Sequence, residues 1–389
     1  MTDFVYSPGE ADFADRAHDV YRRLRDEFPI YHNEKQDFWA VSRFDDVREI
    51  ASDAERFSSE GTSLGANLLP HIQTMDPPRH DALRNLVSVA FTPRRISEIE
   101  PRVREIAHEL IDEFAERGQC DLLGEFARHL PSRVIGEMIG VPSERREAFL
   151  ECTEQMIGVT PDAGSDTNVR EPATRIYQEF AQLLEERRKQ RRDDLISALL
   201  EAEIDGERLS QEELLGFCFV LIVAGNDTTT NLIANGAVML ARHPDQRQAL
   251  AKAPSLIPNA VEEMLRFEAP AQVLPRRTTR EVEIHGETIP ADQEIKLVWA
   301  AANRDEREFP DPDRFDVRRE IGRHLSLGIG RHFCLGAKLA RLEARVGFEE
   351  LLARMPEYEL EREPRWIPSI WARAYDSVPV RFDPVASCG

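Results

Sequence analysis

The stretch His324-Leu-Ser-Leu-Gly-Ile-Gly-Arg-His-Phe-Cys334-Leu-Gly-Ala-Lys-Leu-Ala-Arg341 carries one cysteine through a glycine-punctuated loop to the start of a helix. Gly328 and Gly330 permit a tight turn and a close backbone approach. Gly336 leaves room over the cysteine, and Ala337, Leu339, Ala340 and Leu342 begin a helical run. A sulfur so placed faces free backbone N–H groups and the positive end of a helix dipole, and both favour thiolate over thiol. Burial as an inert structural thiol is the ordinary fate of a free cysteine. The three glycines and His332 crowded around Cys334 weigh against that fate here.

An anionic sulfur in a glycine loop suits a single axial bond to haem iron. The stretch resembles the cysteine-ligand loop of the cytochrome P450 family, the haem-thiolate monooxygenases, with Leu327 standing where that loop usually opens with Phe. The resemblance implies a mainly α chain with small β-sheets, one domain over residues 1–389. It also implies haem b held between a long central helix and the helix that follows Cys334.

Composition and charge bound the partners. The chain has 389 residues with 50 basic and 71 acidic side chains, a net charge of −21. Such a surface repels nucleic acid and anionic lipid. The N-terminal residues carry neither a basic start nor the apolar core of a signal peptide, and the apolar run Leu214–Ala224 is too short to cross a bilayer. A cytoplasmic, unanchored protein is the expectation. The cysteines at 120, 152, 218, 334 and 388 show no metal-type pairing, which argues against zinc, iron–sulfur clusters and a disulfide framework. Cys218, in an apolar helix, reads as core.

Most of the chain has helical period. Ser97 and Glu100 read as a capping box before Ile99, Val103, Ile106, Leu110 and Phe114, with Gly118 as the stop. A helix over 172–190 ends in a basic cluster that reads as a solvated end. Strand signals are few: Phe38–Ser42, the hairpin Val282–Ile289, Glu294–Trp299 and Ser377–Phe382. No strand–helix alternation, G-x-G-x-x-G or P-loop points to a fused nucleotide-binding reductase.

A second capping box, Ser210 with Glu213, opens Leu214-Leu-Gly-Phe-Cys-Phe-Val-Leu-Ile-Val-Ala-Gly-Asn-Asp-Thr-Thr-Thr230, apolar on all sides until Ala224. Gly225, Asn226, Asp227 and Thr228 then break the pattern, and Leu232 to Leu240 restore it, so the polar patch lies inside the protein. A threonine hydroxyl there can bond back one turn and open the helix. In the resembled family an A-G-x-D-T segment crosses the haem and handles oxygen. That implies Ala224 and Gly225 lining the oxygen pocket, with Thr228 and Asp227 as catalytic proton-handling groups.

Glu263-Met-Leu-Arg266 is similar to the family's E-x-x-R, and Phe309-Pro-Asp-Pro-Asp-Arg314-Phe315 to its meander. E-x-x-R alone is weak, because it recurs at 125/128, 185/188, 320/323 and 359/362. The order of motifs singles out this copy and implies a structural Glu263–Arg266–Arg314 network. Haem propionates need cationic or N–H partners, and His80, Arg84, Arg276 and His332 stand in the family's order for that role. The resemblance covers roughly Phe38 to Phe382.

Electrons are expected from outside, from a ferredoxin or flavodoxin with its NAD(P)H reductase. Arg318, Arg319, Arg323, Arg331, Lys338, Arg341 and Arg345 outnumber Glu320 and Glu343 near the cysteine and form a candidate dock. By analogy, Ser58–Thr74, Phe149–Thr174, Ala269–Leu274 and Ile370–Trp371 line the substrate pocket, with Val223, Ala271, Val273, Ile370 and Trp371 as its named residues. Their apolar mix points to a medium-sized lipophilic molecule, such as a terpenoid, steroid, fatty acid or macrolide, handled by a monomer. Two rivals are a peroxygenase of the same fold, against which Asp227-Thr228 argues, and a non-catalytic haem sensor. A haem-free helical interaction protein is more remote.

Overall fold

The structure, a computed structural model, describes residues 4–10, 12–66, 68–157, 167–204 and 206–385. Cys388, Asn67 and residues 158–166 of the expected Phe149–Thr174 pocket segment lie outside the described residues. The architecture is organised around a 32-residue central helix, Gln211–Arg242. Its N-terminus is held by the expected capping box: Ser210 Oγ accepts the Glu213 N–H at 3.2 Å, and the Glu213 carboxylate accepts the Ser210 N–H at 2.9 Å. The helix is long and apolar enough to span a membrane, yet 78% of its most apolar window is buried inside the protein. It packs on the helices His129–Ile139, Ser143–Ile157 and Thr167–Lys189, on Ile257–Phe267, and on Ala337–Arg354, the cysteine helix.

The strands gather to the side. A five-stranded sheet runs Ile30–Asn33, Phe38–Val41, Glu294–Leu297, Leu274–Thr278, Phe57–Ser58. It is antiparallel except where Phe38–Val41 lies parallel to Glu294–Leu297. Tyr358–Leu360, Pro379–Phe382 and Gln119–Asp121 form a three-stranded sheet. The hairpin Val282–Ile289 turns at His285 and Gly286, with φ of 54° and 82°. The apolar face Val103, Ile106, Leu110 and Phe114 is fully buried.

Several expectations change. Ser97 caps nothing: its Oγ donates to the Arg94 carbonyl at 2.7 Å, while Glu100 is drawn to Arg104 and Arg345. The cap is Thr92, one short helix earlier. The following helix stops at Asp112, and Gly118, φ 68°, closes a separate turn. The strand expected over Glu294–Trp299 ends at Leu297, because Trp299 opens the short helix Trp299–Ala302. The basic cluster at the end of Thr167–Lys189 is not all solvated: Arg187 is 1% exposed and donates to Asp194 at 2.6 Å and to the Gly140 carbonyl at 2.7 Å.

Candidate haem-binding and oxygen-handling site

The cysteine loop is a stack of turns. Gly328 and Gly330 both take positive φ, 69° and 68°, conformations that a side chain would strain. The Gly328 N–H donates to the Leu325 carbonyl at 2.8 Å and the Cys334 N–H to the Leu327 carbonyl at 2.8 Å. Leu327, in place of Phe, packs against the main core. Asn303 fastens the loop from outside: its Oδ1 accepts the Leu325 N–H at 2.7 Å and its Nδ2 donates to Ser326 at 2.7 Å. The helix proper begins after Gly336, over which the space is open.

The Gly336 N–H and the charges of Arg84 and Arg341 favour the Cys334 thiolate, but burial outweighs them and pushes the thiol up in the protein alone. The Gly336 N–H among those favouring contacts is of the kind that the loop's geometry led us to expect. A positive centre bonded to the sulfur would lower the thiol further.

Four cationic or N–H-bearing groups converge beside this sulfur. His80 is fully buried; its Nδ1 meets Asp81 Oδ1 at 2.9 Å, and its Nε2 has no partner among the described residues. The His80 and His332 rings lie 4.3 Å apart, and His332 Nε2 meets Ser59 Oγ at 3.0 Å. Arg276 is 5% exposed, donates to its own neighbour Pro275 at 2.8 Å, and has no ion-pair partner among the described residues. Burial pulls it down to about 10. Burial, then Arg276, His80 and Arg84, hold His332 down at about 3. Arg84 donates to the Phe333 carbonyl at 2.5 Å, tying the helix Arg79–Ser88 to the cysteine loop. A buried guanidinium without a carboxylate and a buried imidazole with an orphaned nitrogen are costly as they stand. One thiol among donors suited to two acids matches the chemistry of an iron porphyrin, so the residues present fit haem.

On the central helix, the Thr228 hydroxyl is exposed and donates back to the Ala224 carbonyl at 2.9 Å. The helix nevertheless stays α-helical throughout, so the expected opening of its ladder does not occur. Gly225 does not face the same space as Ala224. A Cβ there would lie 3.1 Å from Ile135 Cγ1, so this glycine serves close packing against His129–Ile139 rather than lining an oxygen pocket. Asp227 is 9% exposed, and burial pushes it up to about 7 against hydrogen bonds from Thr153 and Asn226. Asn226 Nδ2 reaches Thr153 Oγ1 at 3.0 Å and Asp227 Oδ1 at 3.3 Å. Asn226 fills the unspecified position of the A-G-x-D-T segment and Thr153 lies within the expected Phe149–Thr174 segment, but neither residue was assigned a role, because no fixed residue type marks either position.

Behind the loop, Glu263 and Arg266 form a fully buried bidentate pair at 2.7 and 2.8 Å. Arg266 also donates to the carbonyls of Asn303 and Pro312, both at 3.0 Å. Arg314 does not complete the network: its side chain is 65% exposed and pairs with Asp316. Arg319 does, donating to Glu263 at 3.2 Å and to the carbonyls of Pro310, Asp311 and Arg314. Arg314 contributes its backbone alone, because the turn through the meander aims its side chain outward.

The expected pocket residues are only partly assembled. Ala271 bridges Ala372, and the Gln272 N–H donates to the Trp371 carbonyl at 2.7 Å, so the 269–274 and 369–373 segments lie together. Ala271, Ile370, Trp371 and Val223 are partly exposed. Val273 is not: it is 1% exposed and packs with Tyr6, Phe13 and Phe38. The basic patch also shrinks. Arg319, Arg331, Arg341 and Arg345 are paired with Glu263, Asp81, Glu262 and Glu100, and Glu343 is buried. Arg318, Arg323 and Lys338 have no ion-pair partner among the described residues and are exposed, as is Phe333 at 40%.

Comparison with known proteins is in accord with this geometry. A family model described as cytochrome P450 matches residues 167–363. The vitamin D(3) 25-hydroxylase of Pseudonocardia autotrophica is 41% identical, over 90% of this chain and 88% of that protein. The solved structure of the cytochrome P450 CYP109Q5 from Chondromyces apiculatus superposes with a TM-score of 0.89 at 40% identity, covering 98% of this chain and 99% of that one. A mutant of P450 EryK in complex with erythromycin B gives a TM-score of 0.88 at 35% identity, covering 95% and 97%. With the family model spanning half the chain and relatives this similar along nearly all of it, the protein belongs to the cytochrome P450 family, whose members bind haem b iron through a cysteine thiolate.

Proposed function

We propose that this chain is a monooxygenase that hydroxylates or epoxidises a medium-sized lipophilic small molecule in the cytoplasm. Electrons come from a separate ferredoxin or flavodoxin and its NAD(P)H reductase. Cys334 would ligate the iron, and His80, Arg84, Arg276 and His332 would hold the propionates. When bound, the haem supplies the reductive activation of O2, and the thiolate ligand favours O–O cleavage. The protein supplies position and protons. The Thr228 hydroxyl donates to the Ala224 carbonyl and is free to accept a hydrogen bond; rotation about its side chain would release its proton to donate toward the bound oxygen. Asp227, pushed up to about 7, can carry a proton at neutral pH, and its links to Asn226 and Thr153 point the supply route toward the helix Ser143–Ile157.

The observation that carries this reading is Cys334 amid His80, whose Nε2 has no hydrogen-bond partner among the described residues, and the buried Arg276, which forms no ion pair among them. The vitamin D(3) and erythromycin B relatives support a lipophilic substrate. Arg318, Arg323, Lys338 and the exposed Phe333 support a small docking surface for an acidic electron carrier. Thr228→Ala tests the proton role. Substrate binding is expected to persist while reducing equivalents divert to peroxide, read as product formed per NAD(P)H consumed. An unchanged ratio would remove Thr228 from the mechanism.

A further inference from the structure

Glu262 stands beside Glu263 on the helix Ile257–Phe267, yet its carboxylate takes no part in the buried Glu263–Arg266 pair and reaches the cysteine stretch instead. Arg341 donates to it through two nitrogens, Nε to Oε1 at 2.6 Å and Nη2 to Oε2 at 2.8 Å. His324 Nε2 meets Oε2 at 3.1 Å. His324 lies ten residues before Cys334 and Arg341 seven after it. A single carboxylate therefore grips both ends of the stretch that presents the sulfur.

Each contact has a fixed direction. The Ser326 N–H donates to His324 Nδ1 at 3.2 Å. A ring that accepts at Nδ1 carries its proton on Nε2, facing Glu262. Ser326 Oγ donates to the Leu265 carbonyl at 2.5 Å, so the start of the stretch is fastened to the helix Ile257–Phe267 twice. At the far end the Arg341 side chain folds back along its own helix, with Nη1 3.4 Å from the Ala337 carbonyl. Helical side chains lean toward the N-terminus, and here that lean returns the guanidinium to the turn that follows Cys334. Its charge favours the Cys334 thiolate, although burial outweighs it. Against burial, Arg341 and then His324 pull Glu262 down to about 2, so the carboxylate is ionised throughout the neutral range. The side chains of Arg341 and Glu262 are 35% and 28% exposed, and an ion pair this open adds little to stability. What it can do from this position is set the electrostatic potential at the sulfur.

We propose that Glu262 is a positioning residue for the cysteine ligand, closing the ends of its loop through His324 and Arg341. With Arg341 it would form a matched pair of charges that sets the reduction equilibrium of iron held by Cys334. This assignment rests on the haem-thiolate reading above. A positive charge near a thiolate ligand draws off electron density and favours the reduced metal, and a negative charge opposes reduction. Arg341 therefore pushes the equilibrium toward the ferrous form and Glu262 toward the ferric form, with wild type between the two.

The test is a spectroelectrochemical titration of the haem-loaded, substrate-free protein, with the reduced carbonyl spectrum of each sample as a second readout. Glu262→Gln keeps the shape of the side chain and an acceptor for His324 but drops the charge. It should shift the reduction equilibrium toward the ferrous form, and Arg341→Gln should shift it toward the ferric form. Each shift is expected at roughly threefold to tenfold, tenfold being about 59 mV for one electron. The double variant should return to about the wild-type value, and Arg341→Lys, which keeps the charge, should stay near it. A pair that merely braces the loop would move both single variants the same way. That result, single variants that match wild type, or a double variant further displaced than either single one would overturn the assignment. Where Arg341→Gln does not take up haem, the sign of the shift in Glu262→Gln decides alone. A thiolate-type carbonyl band without the opposed shifts defeats only the Glu262 proposal, whereas a wild type lacking that band defeats the haem-thiolate reading beneath it.

Discussion

Asp227 sits where the apolar character of the central helix gives way, and the protonation proposed to serve proton supply also bears on stability. Burial raises it from an ordinary 3.8 to about 7, so the folded protein holds this proton over a pH range in which the unfolded chain has released it. Between about pH 4 and 7 the native state binds more protons than the unfolded state, and stability falls as pH rises through that window. Asp227→Asn removes the dependence. Relative to the variant, wild type should lose stability from pH 5 to pH 7 at up to about 1.4 kcal/mol per unit, measured by urea unfolding of both proteins. Parallel pH profiles would show that Asp227 is ionised throughout. At this scale the sequence was informative where the backbone dictates chemistry: Cys334 after Gly328 and Gly330, and Thr228 bonding back to Ala224. It misled where side-chain direction decides. Gly225 faces Ile135, and Val273 turns into the N-terminal cluster.

Between elements, the helix Ile257–Phe267 and the loop 309–319 are joined by charges that the rest of the chain has enclosed. Glu263 cannot be left unpaired in that interior, and Arg266 and Arg319 share it. Removing Arg319 takes away a charge-assisted bond and three carbonyl partners, so Arg319→Ala should cost about 2–3 kcal/mol. Arg314→Ala should stay within about 0.5 kcal/mol. Thermal melting with haem retention as a second readout checks both, and equal losses would restore Arg314 to the network. The E-x-x-R and meander motifs identify the two elements correctly, but spacing says nothing of which arginine turns inward. Strands were harder to read for a related reason. Leu274–Thr278 contains Pro275, Arg276 and Arg277, yet it pairs on both sides, because its neighbours Glu294–Leu297 and Phe57–Ser58 supply the ladder. Short strands defined by distant partners leave little periodic signal.

In the whole molecule, a −21 surface encloses a long apolar helix, and the helix after Cys334 packs against it. That architecture was legible because a 32-residue apolar helix with a capping box, a glycine loop and ordered motifs constrain one another. The distribution of charge was not. The basic count near Cys334 ignored Glu100, Glu262 and Asp81, which the fold brings across from distant segments. The proposed function requires the assembled molecule to hold iron by the Cys334 sulfur amid His80, Arg84, Arg276 and His332. The direct measurement is the visible spectrum of the haem-loaded protein, reduced with dithionite under carbon monoxide, for wild type and Cys334→His. A far red-shifted Soret band in wild type, moved to the position typical of histidine ligation in Cys334→His, is the predicted result. A wild-type carbonyl band already at that position, or one unchanged by the substitution, would contradict Cys334 as the ligand.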